Sequence, residues 1–62
     1  MVNVEKLRKD FRAVWKYWID NGEETEERKL GHANDIKAHE NDEQYMLDVA
    51  NLYREIANRL RV

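Results

Sequence analysis

The sequence predicts an all-α fold, an up-down-up three-helix bundle, and three observations carry that expectation. Two long segments repeat apolar residues at helical spacing, proline is absent, and a third segment of the right length lies between them. In the first, apolar side chains fall at Val4, Leu7, Phe11, Val14, Trp15, Trp18 and Ile19. At 100° per residue these occupy one arc of roughly 140°. Asn3 stands where a side-chain oxygen can cap the first turn, and Asn21 with Gly22 supplies residues able to take the left-handed conformation that ends helices. A helix over 4–20 follows, with Glu5 and Lys9 expected as an i,i+4 ion pair.

The last segment, 42–61, is equally periodic. Tyr45, Met46, Val49, Ala50, Leu52, Tyr53, Ile56, Ala57 and Leu60 make a stripe of roughly 160°, wide enough to touch two neighbours. Asn41 followed by Gln44 is a capping-box variant, and Arg59 and Arg61 suit the negative helix end. The middle segment, 24–39, is thinner. Only Leu30, Ala33 and Ile36 form an apolar line, and Gly31 costs about 1 kcal/mol against alanine in a helix interior. Thr25 or Glu24 opens it, with Glu26 and Glu27 at the favourable end of the helix dipole. The competing architecture is a helical hairpin that dimerises, with 24–40 as a poorly packed excursion.

Composition narrows the function. Sixty-two residues permit one domain, 1–62, and without cysteine there is neither a disulfide nor a thiolate site, so the redox compartment leaves no trace. No apolar window approaches a membrane span and no hydrophobic signal core is present, so the chain is expected to be soluble with no membrane partner. The net charge of −2 is unevenly spread: residues 1–20 hold five bases and three acids, whereas 21–48 hold three bases and nine acids. Nucleic-acid binding through Lys9, Arg12 and Lys16 is disfavoured by that balance and by Glu5 and Asp20 on the same strip.

His32, Asp35 and His39 share one face of the middle helix, but the histidines stand two turns apart, about 10 Å, too far to share one ion. No metal or cofactor is expected. Neither a nucleophile constellation nor an interior large enough for a pocket is visible, so the chain is not expected to be an enzyme.

The aromatic residues direct attention to protein binding. Two tryptophans and a phenylalanine are a large volume for so small a core, so Trp15 or Trp18, with Val14 beside them, is expected to stay partly available to a partner. Tyr17 falls outside the first stripe, while Tyr45 and Leu52 widen the last one beyond what a three-helix core requires. Gly31, Asn34 and Ala38 form a line of small residues that lets another surface approach the middle helix, with His32 nearby.

The segment from Glu40 through Asn41, Asp42, Glu43 and Gln44 into Met46, Val49, Ala50, Tyr53, Ile56, Ala57 and Leu60 resembles the last loop and helix of computationally designed three-helix miniprotein binders. The resemblance covers the last third of the chain well and the rest in blueprint. It implies an engineered monomer that docks on a folded protein target through one or two helices and blocks it by occlusion. Gly31, His32, Asn34, His39, Tyr45, Leu47 and Asn51 depart from the Glu, Lys and Arg surfaces of that class, and under the resemblance they are interface positions. The alternative is a natural small helical regulator or inhibitor acting as a homodimer.

Overall fold

A computed structural model describes residues 2–60. It is a three-helix bundle of α1 (Val4–Asp20), α2 (Glu26–Ala38) and α3 (Glu43–Leu60). The middle helix is shorter than the expected 24–39 and α3 starts one residue later than the expected 42; its expected end at Arg61 lies outside the described residues.

Local chemistry fixes each end. The Asn3 side chain accepts from the Lys6 backbone N–H at 3.1 Å, as the sequence led us to expect. At the other end of α1, Gly22 takes the left-handed conformation (φ 76°) while Asn21 stays right-handed. The Glu23 N–H then reaches the Trp18 carbonyl at 2.8 Å and the Gly22 N–H the Ile19 carbonyl at 3.0 Å, the paired bonds of a Schellman turn. Thr25, not Glu24, caps α2 through Oγ1 to the Arg28 N–H at 3.2 Å. Glu24 instead turns its carboxylate to Arg28 at 2.7 Å.

The start of α3 corrects one expectation. Asp42 rather than Asn41 is the cap, its Oδ1 accepting from the Tyr45 N–H at 3.1 Å. Gln44 does not close a capping box; its amide donates to Asp48 at 3.0 Å. A charged carboxylate at the positive end of the helix dipole outcompetes a neutral amide one residue earlier.

Packing is unequal among the helices. Leu7, Phe11, Val14 and Trp15 of α1 meet Met46, Tyr53 and Ala57 of α3 in the buried core. The middle helix buries no residue completely and gives only Ala33 and Ile36 to the margin of that core. Its sequence explains this, because a 13-residue helix with three apolar side chains on one line cannot cover two neighbours.

The centre of the core is a tied aromatic cluster. The Trp15 indole Nε1–H donates to the Tyr53 hydroxyl at 3.0 Å, and Phe11 meets the Tyr53 ring edge-on at 5.1 Å. Trp18 stands perpendicular to Trp15 at 5.0 Å. Burial pushes the Tyr53 phenol above its ordinary pKa, only partly opposed by the Trp15 hydrogen bond.

Candidate functional site

Two surface regions combine exposed apolar area with specific polar groups, and both involve α2. The first lies between α2 and α3. There the His39 ring stacks on Tyr45 with centroids 4.2 Å apart, and His39 Nδ1 donates to the Asp35 carbonyl at 2.8 Å. His32 is seven residues before His39 on α2, and Leu52 seven after Tyr45 on α3. Seven residues is two turns, about 10 Å, so Leu52 lies on the same side of α3 as Tyr45, and His32 stands two turns before His39. Leu52 is 52% exposed, and half-buried Val49 and Ile56 stand beside it on the same flank of α3.

Of the nine residues that the sequence nominates for a partner surface, Tyr45 and Leu52 share one side of α3. His32 packs its ring against Trp15 at 5.2 Å. Gly31 and Asn34 are exposed on α2. Tyr17 is exposed on α1, apart from this group, and Trp18 is half-buried against the core.

Val14 and Trp15 do not belong to a partner surface. They are 0% and 1% exposed, the most completely buried large side chains among the described residues. The reason is geometric: both sit at the middle of α1 in the core it shares with α3, and the His32 ring of α2 lies against Trp15. The large aromatic volume is accommodated by tilting the rings against one another, not by exposing Trp15.

The second region is a cleft of about 590 Å³ between the first half of α1 and the second half of α2. Val4, Leu7, Phe11, Ala33, Ile36 and Met46 form its apolar lining, and Arg8, Arg12 and Lys37 stand on its rim with one acid, Glu40. Its volume falls in the range of ligand pockets, but it lies open along the surface, whereas small-ligand sites bury most of their occupant. Sequence reasoning missed it, because no single helix carries it. The signal was available in the thin stripe of α2, which left too little side chain to fill the space beside Phe11.

Ion pairs alter the expected reading of α1. Lys6 binds Asp10 at 2.6 Å and Lys16 binds Asp20 at 2.7 Å; the expected pair of Glu5 and Lys9 is not among those formed. Asp10 is 5% exposed, and a carboxylate so placed needs a cation more than exposed Glu5 does. Its position three residues after Leu7 and four before Val14, within the apolar stripe, was the sequence signal. Asp20 raises the Lys16 ammonium pKa, first by its hydrogen bond and then by its charge. Lys9, Arg12 and Lys16 thus offer no continuous free cationic strip.

Among the described residues no three His, Cys, Asp or Glu side chains converge as a metal would require, and no helix is long and apolar enough to cross a membrane. Comparison with protein families, curated proteins and solved structures finds no match to this chain.

Proposed function

We propose that the chain is a protein-binding module that docks on a folded protein target through the α2/α3 face and acts by occluding the surface it covers. The observation that carries this reading is exposed Leu52 on the same side of α3 as Tyr45, whose ring is stacked on His39. The two stacked rings restrict each other and present a polar edge beside an aliphatic knob, so little side-chain entropy is lost when a partner closes over them. The polar tips of His39 and Tyr45 give such a face hydrogen-bonding capacity around an apolar centre, the usual anatomy of an interface.

A photocrosslinking residue in place of Leu52 tests the reading, with the same residue in place of exposed Arg54, about 160° round the helix, as the control. Position 52 is expected to capture a partner protein that position 54 does not. With that partner purified, Leu52→Asp and Tyr45→Ala, each checked for native helicity, are expected to weaken binding about 30-fold each, the size of a hot-spot loss. Equal capture at both positions, or affinity unchanged in both folded variants, would remove the α2/α3 face from the function.

A further inference from the structure

We infer that the α1/α2 cleft is the seat of a second copy of this chain, docked antiparallel across a two-fold axis that passes α2 between Gly31 and His32. This interface is separate from the α2/α3 face and stands whether or not that face binds a target.

The inference starts from a stripe on α2. Glu26, Leu30, Ala33 and Lys37 follow one another at spacings of four, three and four, which places them on one side of the helix in the pattern of a helix–helix seam. Ala33 and Lys37 line the cleft, so the stripe runs along its edge. Leu30 stands 62% exposed on that stripe, the most exposed of the large hydrophobic residues described.

A symmetric interface requires that one surface complement itself. Turned antiparallel about a point midway between Gly31 and His32, residues equally distant from that point oppose one another. Leu30 of one copy then meets Ala33 of the other, at the cleft, and Glu26 meets Lys37. Knob faces hollow and acid faces base, twice each. Glu23 and Glu27 stand near the acidic end of the stripe, and Arg8 and Arg12 stand across the cleft at its basic end, where Glu40 is the one acid and opposes Glu23 of the second copy. Among the described residues none of Arg8, Arg12, Lys37, Glu26 or Glu27 forms an ion pair within its own chain.

The contact made by Leu30 with Ala33 and by Glu26 with Lys37 is small, so the dimer is weak, with a dissociation constant on the order of micromolar to submillimolar.

Sedimentation equilibrium of the full chain from 10 µM to 1 mM, at low salt, is the test. The wild-type chain is expected to pass from monomer to dimer across that range, and Leu30→Asp to remain monomeric. Glu26→Lys and Lys37→Glu, both at exposed positions and each checked for native helicity, set like charges against each other twice and are expected to weaken the dimer about tenfold each. Mixed together, the two variants restore both attractive pairs and are expected to form a heterodimer at least as tight as the wild-type dimer. A wild-type chain that stays monomeric at 1 mM would overturn the inference. So would a dimer indifferent to Leu30→Asp and the charge reversals, a mixture that fails to associate, or a dimer disrupted by Leu52→Asp in place of Leu30→Asp.

Discussion

Replacing Tyr53 by phenylalanine probes the buried hydrogen bond between Trp15 and Tyr53. The ring that meets Phe11 edge-on is kept, and only the hydroxyl that accepts the Trp15 indole N–H at 3.0 Å is removed. Trp15 is 1% exposed, so water does not replace the lost acceptor and the N–H is left buried and unsatisfied. Leaving such a donor alone costs about 1–3 kcal/mol, against a total of only about 3–5 kcal/mol for one core of this size. The melting temperature is expected to fall by roughly 4–8 °C for each kcal/mol lost. Urea unfolding followed by far-ultraviolet circular dichroism measures the change, and the double variant with Trp15→Phe isolates the pair. In that cycle the two losses are expected to be less than additive by about 1 kcal/mol. A Tyr53→Phe variant as stable as the wild type, or strictly additive losses, would refute the account of this core.

Three further outcomes follow from the same geometry. Gly31→Ala is expected to stabilise the chain by up to about 1 kcal/mol, because nothing lies within 4 Å of the added Cβ and the helix gains propensity; a lower unfolding midpoint would contradict this. Lys6→Met is expected to destabilise by about 1–2 kcal/mol by stranding the buried Asp10 carboxylate, whereas Lys9→Met, outside the pairs formed, is expected to be neutral in the same denaturation assay. The Tyr53 phenol ionises at higher pH in the folded chain than in the unfolded one, so its contribution is complete below the unfolded value of about 10 and fades as pH rises beyond it. Stability measured from pH 8 to 11 is therefore expected to decline at the alkaline end, and less steeply in Tyr53→Phe than in Tyr17→Phe.

Much of this molecule was legible in one dimension because its information is periodic. The stripes through Leu7, Phe11 and Val14 and through Met46, Tyr53 and Ala57 specify two helices and the core between them, and the sparse line at Leu30, Ala33 and Ile36 announced the weakly packed α2. What escaped was relational. Whether Trp15 or Trp18 is covered depends on where α2 crosses α1, and no wheel drawn for one helix contains that crossing. Asp10 was hidden by its charge, since a carboxylate within an apolar stripe is discounted until its partner Lys6 is in place. The α2/α3 face was half legible, because Tyr45 and Leu52 widened a stripe, while the stacking of His39 on Tyr45 required the turn at residues 39–42 to fold.

α1 and α3 form the stable body of the molecule, and α2, which buries no residue completely, is the element held most loosely. Native-state hydrogen exchange on the dilute monomer tests it residue by residue. Amides of α2 are expected to open with a markedly smaller free energy than those near Val14 and Tyr53, in a sub-global step that leaves α1 and α3 protected. Protection of α2 equal to that of the other two helices, all lost together in one global transition, would contradict it.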